Sequence, residues 1–263
     1  MIYRHILTSL FLITLIPLIA TALPPQSPAG GGMLRLDETH DFVATAEAWF
    51  PNEQFKGLTA EAWVYFEELP TPETFWSIIG QQGRFNLIIH GNNGSLGAWG
   101  YAEGAAGSLT TGGFDLPVKE WMHVTAIYDA GAGMGLNGEG GNWCCPRGHL
   151  IKSNKPLRIG GIIPQDKNRS HFIGDNVKLR GYIDEVRISS VVRYVGPEWE
   201  VPKGKFAVDK HTISLWHFDE APGANRFKDA SGNAHHLWRN GIIGDLAVEA
   251  QHKLTTTWGQ LKK

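Results

Sequence analysis

An antiparallel all-β sandwich of jelly-roll type is the fold class the sequence predicts. Three observations carry it: apolar residues recur with period 2 in almost every ordered-looking stretch, no stretch shows a sustained helical period, and Gly and Asn clusters separate the stretches. The chain has 32 Gly and 10 Trp in 263 residues, with 19% charged residues, a composition that suits short strands joined by tight turns.

Each strand follows from its own pattern. In LTAEAWVYF (58–66), Leu58, Ala60, Ala62, Val64 and Phe66 share one parity and are expected to face a core. Thr59, Glu61, Trp63 and Tyr65 share the other, which reads as a ring-rich outer surface. The same logic gives strands at 75–81 (FWSIIGQ), 84–90 (RFNLIIH), 95–101 (SLGAWGY), 121–129 (WMHVTAIYD), 156–160 (PLRIG), 180–189 (RGYIDEVRIS) and 212–218 (TISLWHF). Gln82-Gly83, Gly91-Asn92-Asn93-Gly94, Gly112-Gly113, the Gly131 to Gly141 cluster and Gly160-Gly161 break them. A short helical turn is expected near Ser190 to Val195.

The ends of the chain read differently. Arg4 precedes an apolar run from Ile6 to Ile19, and Ala20-Thr21-Ala22 follows as a small-x-small site. This predicts a secretory signal peptide over 1–22, because the run is shorter than the roughly 20 residues that span a bilayer. A Pro/Gly-rich linker (23–32), a sandwich domain (33–240) and a C-terminal tail (241–263) complete the expected organisation. The 24 Lys and Arg nearly balance 26 Asp and Glu. That balance excludes steering to nucleic acid or to an anionic membrane, and no span is expected after signal cleavage.

LTAEAWV (58–64), EWMHVTAIYD (120–129), Leu136-Asn137-Gly138, PLRIGG (156–161) and GYIDEVRIS (181–189) stand in the order and near the spacing of the laminin-G-like, concanavalin A-like lectin/glucanase jelly rolls, which the chain therefore resembles. LWHFDE with DASGN (229–233) looks like the signature that usually opens such domains, yet it stands near the end. The expected explanation is that it closes the sheet opened by GMLRLD (32–37). The rival, a second domain, has only the 30 residues from Ala234 to Lys263 left after the loop, too few for a core.

Catalytic equipment is expected to be absent. Glycoside hydrolysis needs two carboxylates across a cleft, and no Glu-x-Asp-x-Glu places them on one strand face; Asp184 and Glu185 are adjacent and so point to opposite faces. No Gly-x-Ser-x-Gly or His-Glu-x-x-His occurs, and the 11 His are scattered apart from His235-His236. His123 is expected to pack.

The binding candidates are Trp76, Trp99, Tyr101 and Trp143, aromatic rings beside Gly-rich turns where a sugar face could lie. Asp184 shares parity with Tyr182, Val186 and Ile188, so it is expected on the core side with an amide cluster, an Arg or a cation as partner. Asp184, Asp219, Asp229 and Asn233 are the candidate Ca²⁺ ligands, a site the resemblance also implies, although Asp, Ser, Gly and Asn in a row equally serve a tight turn. No cofactor is required; Ca²⁺ is an option. Cys144 and Cys145 are the only cysteines, and a vicinal disulfide, two free thiols or bridges to another chain are all open. The functional expectation is a secreted or cell-surface non-catalytic module that recognises a glycan or an extracellular protein, or mediates adhesion. The alternatives are a carbohydrate-active enzyme on the same fold and a structural envelope protein.

Overall fold

A computed structural model describes residues 23–36, 42–50, 52–69, 75–90, 94–102, 108–144, 148–161 and 180–240. Fifteen strands are found among them: β1 (Leu34–Leu36), β2 (Val43–Thr45), β3 (Leu58–Phe66), β4 (Phe75–Gln81), β5 (Phe85–His90), β6 (Ser95–Tyr101), β7 (Ser108–Asp115), β8 (Trp121–Tyr128), β9 (Ala132–Leu136), β10 (Glu139–Gly140), β11 (Leu157–Ile159), β12 (Gly181–Ser189), β13 (Thr212–Trp216), β14 (Arg226–Phe227) and β15 (Leu237–Arg239).

They form two antiparallel sheets. One runs β1-β12-β3-β8-β9-β10 with β13 also on β12; the other runs β14-β15-β2-β11-β4-β5-β6-β7. The core lies between them, where Leu58, Ala60, Ala62, Val64 and Phe66 of β3 meet Ile79, Leu87, Ile89, Leu96 and Ala98 of the opposite sheet. The period-2 pattern selects these faces, and burial of the apolar set drives the sheets together.

The segment 212–240 belongs to both layers. β13 pairs with β12 over Val186 to Ser189, while β1 pairs with β12 over Gly181 to Ile183, so β1 and β13 lie end to end along one edge. β15 then pairs with β2 in the other sheet. Ile213, Trp216, Phe227 and Leu237 enter the shared core.

The outer face of β3 departs from the expectation of an exposed ring-rich surface. Thr59 and Glu61 are fully buried, and Trp63 and Tyr65 nearly so. Two straps cover them. The N-terminal segment contributes Ala29, which packs with Trp63, Phe206 and Leu215 in a second small core, and the Pro25 carbonyl, which accepts a hydrogen bond from Trp121 Nε1 (2.7 Å). Residues 190–209 form the other strap. Its first part is not the helical turn expected near 190–195, because side chains of the sheet hold it extended: Thr59 Oγ1 donates to the Val191 carbonyl (2.8 Å) and accepts from the Arg193 amide (3.0 Å), and the Tyr194 hydroxyl donates to Glu61 (2.5 Å).

Glu61 anchors the straps. Its carboxylate also accepts from Arg187 (2.8 Å) and meets His123 Nε2 at 3.1 Å. Burial pushes its pKa up, but the His123 hydrogen bond and the Arg187 charge together hold it below the ordinary carboxylate value. His123, expected only to pack, is thus half of a buried polar pair.

Trp216 is fully buried and its Nε1 donates to the His235 carbonyl (2.9 Å), so it joins the core to the cross-sheet connection. The substitution Trp216→Ala is expected to cost about 3–5 kcal/mol in a urea-unfolding measurement, and a chain ended after Val208 should fail to give a cooperative transition.

Candidate binding clefts

Two clefts flank the β14–β15 hairpin, and the segment 217–240 builds a wall of each. The first, of about 430 Å³, lies between residues 45–50, which lead out of β2, and the Ala234, His235, His236 and Trp238 wall. The second, of about 720 Å³, lies at the sandwich edge between β1 and the 218–227 and 239–240 stretches.

The histidine cleft is positioned from beneath by buried polar groups. Arg84, fully buried, donates to the carbonyls of Trp49, Phe50, Glu53 and Ile151 (2.8–3.4 Å), and Gln81 Nε2 donates to Trp49 and Lys155 carbonyls (2.7 and 2.6 Å). Burial lowers the Arg84 pKa to about 10. These bonds hold the Trp49–Phe50 wall by supplying donors to its carbonyls, that of Phe50 also accepting from the Glu53 amide (3.3 Å).

The opposite wall hangs on Asp229. Its carboxylate, 2% exposed, accepts from the amides of Leu215 (3.0 Å), Ser231 (2.9 Å) and His235 (3.0 Å) and from Ser231 Oγ (2.8 Å). The Asp229 amide in turn donates to His236 Nδ1 (3.1 Å). An Nδ1 that accepts leaves the proton of the neutral ring on Nε2. His235 Nδ1 is engaged with Ser214 Oγ (2.9 Å), which also accepts from Trp49 Nε1 (3.1 Å) and so ties the two walls together. Burial lowers the pKa of both histidines; the Arg226 charge adds to this for His236, and the Asp229 charge opposes it for both. Burial thus disfavours the charged form of both rings.

Aromatic surface completes this cleft. The His235 ring sits 4.6 Å from Phe50, and Trp238 lines the same space. Phe50 (φ 46°) and Ala234 (φ 60°), on facing walls, both adopt left-handed backbone that non-glycine residues rarely take. Glu47 is the exposed carboxylate of the lining.

The edge cleft has another character. The Phe218 and Phe227 rings meet at 5.4 Å, Tyr182 lies beside them, and Arg35 and Arg239 bring positive charge. Glu220 contributes a carboxylate whose Oε1 accepts from the Lys228 amide (2.7 Å).

The residues singled out from the sequence lie elsewhere. Trp76 is in the inter-sheet core, 2% exposed, against Phe66 at 6.1 Å, and so offers no face to a ligand. Trp99 and Tyr101 are neighbours on the outer face of the eight-stranded sheet (5.9 Å), with Trp99 buried and Tyr101 half-buried. Trp143 is 50% exposed and rests on Gly131 and Gly133, where an added Cβ would come within 2.3–2.8 Å of its ring or the neighbouring backbone. None of the four lines either cleft. Cys144 is disulfide-bonded; Cys145 lies outside the described residues, as do the signal-peptide and tail segments.

The four candidate Ca²⁺ ligands separate into two groups. Asp229 and Asn233 serve the turn, Asn233 Nδ2 donating to the Ile213 carbonyl (2.8 Å). Asp219 accepts from the Gly32 amide (2.8 Å) and is paired with Lys205. Asp184 is close enough to Asp219 for their charges to interact. Among the described residues no three His, Cys, Asp or Glu converge as a metal-binding group.

Asp184 is not on the core side. A bulge between Asp184 and Arg187, with Glu185 at φ 49°, inserts a residue and reverses the parity. Ile183, Val186 and Ile188 face the core, while Asp184 lies opposite Trp63 on the outer face, beneath the straps. Its Oδ1 accepts from the Glu185 amide (2.7 Å), and its Oδ2 has no hydrogen-bond partner. Glu185 is satisfied by His217 Nδ1 (2.8 Å) and the Phe206 amide (2.9 Å). Burial, and then the Glu185 and Asp219 charges, push Asp184 up to about 7, against the pull of the Ser27 side chain and the Glu185 amide.

Glu61, Glu47, Trp49 and Trp238 escaped the sequence reading. Adjacency of His235 and His236 was visible, but nothing local indicated that an aspartate six residues earlier orders their backbone.

Residues 37–195 match the sequence profile of the Concanavalin A-like lectin/glucanases superfamily. Among curated proteins, none matches the chain. Of solved structures, a Bacteroides ovatus ATCC 8483 protein proposed to bind carbohydrate is 21% identical, with a TM-score of 0.53 over 80% of this chain and 60% of its own. This chain therefore spans about three-fifths of that protein's length. The mouse laminin alpha1 LG4-5 domains (12% identity, TM-score 0.44, 68% of this chain and 50% of that one) and the heptameric SAP-like pentraxin of Limulus polyphemus (13%, 0.45, 73% and 96%) are similar more distantly. At these identities the likeness is one of fold.

Two outcomes follow from the geometry. Removing the acceptor in Asp229→Ala orphans several amide donors and should cost about 3 kcal/mol or more in chemical denaturation. For Asp184, a folded-state pKa above the unfolded value contributes stability in full below about pH 4, and that contribution is lost as pH rises through about 7. Melting temperatures from pH 5 to 8.5 should therefore decline more steeply for the native chain than for Asp184→Asn, which should be the more stable of the two at the alkaline end.

Proposed function

The chain belongs to the Concanavalin A-like lectin/glucanases superfamily, and from that premise we propose that it is a non-catalytic glycan-recognition module that binds a sugar in the histidine cleft. One observation carries the reading: aromatic rings (Phe50, Trp238) and hydrogen-bonding edges (His236, Glu47) converge in a space of about 430 Å³, with both walls fixed by buried polar groups. Apolar ring faces accept the C–H face of a pyranose and a few fixed polar groups orient its hydroxyls. Preformed walls keep the ordering cost of binding low.

The chemistry of the clefts favours binding over bond cleavage. Among the described residues one carboxylate lines each cleft, Glu47 in one and Glu220 in the other. A glycosidase flanks its bond with two. The Bacteroides ovatus protein of the same fold, proposed to bind carbohydrate, points the same way.

Export fits this role. The apolar run 6–19 followed by Ala20-Thr21-Ala22 supports cleavage after Ala22 and a place outside the cytoplasm, secreted or at the cell surface. No helix among the described residues is long and apolar enough to cross a membrane. An extracellular protein partner would be sought on the edge cleft, where Arg35, Arg239 and the Phe218–Phe227 pair give a longer amphipathic surface.

A glycan array probed with the full chain should show retained ligands, and Trp238→Ala should weaken binding of the best by about tenfold or more, the scale of a lost central aromatic contact. Incubation of the hits followed by product analysis should return them intact. Turnover, or binding indifferent to Trp238→Ala, would remove this reading.

A further inference from the structure

We infer that the histidine cleft selects an uncharged pyranose and rejects acidic sugars, with His236 Nε2–H as donor and the Glu47 carboxylate as acceptor to ring hydroxyls; this rests on the glycan reading of the same cleft. The donor is fixed by connectivity. The Asp229 amide occupies His236 Nδ1, so the ring carries its proton on Nε2 and cannot exchange donor for acceptor without breaking that bond. Glu47, across the cleft and exposed, is acceptor-only and can take two hydroxyl hydrogens of a vicinal diol.

The charge inventory sets the selectivity. Among the described residues Glu47 is the one lining carboxylate and no Lys or Arg lines the cleft, while burial disfavours the protonated form of both imidazoles. Behind the lining, the positive charges of Arg226 and Lys228 on the β14 side act on His236, and the negative charge of buried Asp229 opposes them. Arg226 is directed to the Trp238 ring, 5.6 Å from its centroid. A uronate or sialic acid would thus bring its carboxylate into a small space beside another carboxylate and no lining cation, a repulsive element of the kind that creates specificity. A neutral ring meets one donor and one acceptor without that repulsion. The edge cleft, by contrast, is lined by two cations, Arg35 of β1 and Arg239 of β15.

Saturation-transfer NMR and competition titration at pH 7.5 with the full chain test this, using methyl glycosides of glucose, galactose and mannose against glucuronate and N-acetylneuraminate. At least one neutral glycoside should bind about tenfold or more tighter than either acid, and Glu47→Gln, at an exposed position, should cut that ratio to about threefold or less while weakening the neutral ligand. Acidic sugars that bind as well as neutral ones, or a ratio unchanged in Glu47→Gln, would overturn the selectivity and leave glycan binding standing. No transfer to any sugar would overturn both.

Discussion

One buried carboxylate, that of Asp229, ties the loop between β14 and β15 of the eight-stranded sheet to β13 of the seven-stranded one. β13 ends at Trp216 and β15 begins at Leu237, and each must enter its own layer of a shared core. A connection that crosses between layers exposes backbone donors to an apolar interior, where an unpaired amide costs free energy. Asp229 gathers three amides, that of Leu215 in β13 and those of Ser231 and His235 in the loop, together with a hydroxyl, on two oxygens. A charge so deeply buried is tolerable because charge-assisted hydrogen bonds surround it. The arrangement that satisfies the crossing also orients His235 and His236, so stability and site geometry share one origin.

The outer face of the seven-stranded sheet obeys the same logic on a larger scale. Its polar and aromatic residues are sheltered under two straps, so Glu61 needs partners, and it takes them from β8, β12 and the 190–209 strap together. The bulge at Asp184 and Glu185 is the price of that cover: it turns Glu185 toward the Phe206 amide and His217 while leaving one oxygen of Asp184 unsatisfied. Strained backbone at Glu185 persists because the surrounding contacts over-determine it.

What could be read in the sequence was whatever depends on local period. The parity of Leu58 to Phe66 placed the core face, and the alternation through β4, β5 and β6 placed the second sheet. Parity could not report the bulge, since an inserted residue is invisible until its partner strand is known, and so Asp184 was assigned to the wrong face. Nor could it report the straps: Thr59, Glu61, Trp63 and Tyr65 look like a solvent face because alternation says only that they oppose the core, not that a distant segment lies over them. Neighbouring glycines point to Trp76, which lies in the core, and give no signal at Trp238, whose setting depends on the pairing of β15 with β2. The clefts need contacts between residues more than 180 positions apart, as in Phe50 with His235, and no local rule reaches that far.

The residues that give the histidine cleft its chemistry fall on both sides of the family boundary. Glu47, Trp49 and Phe50 lie within the matched 37–195 stretch, whereas His235, His236 and Trp238 lie beyond it, as do Phe218, Phe227 and Arg239 of the edge cleft. The shared part therefore supplies a sandwich with one wall of the histidine cleft, and the closing segment supplies the other, while of the edge cleft lining only Tyr182 lies in the matched stretch. The same β13–β15 segment is needed to fill the core, and Phe218 and Phe227, which line the edge cleft, belong to that core, whereas His236 and Trp238 of the histidine cleft do not. Membership of the superfamily therefore fixes the scaffold and not the lining of the clefts, which residues outside the matched stretch complete.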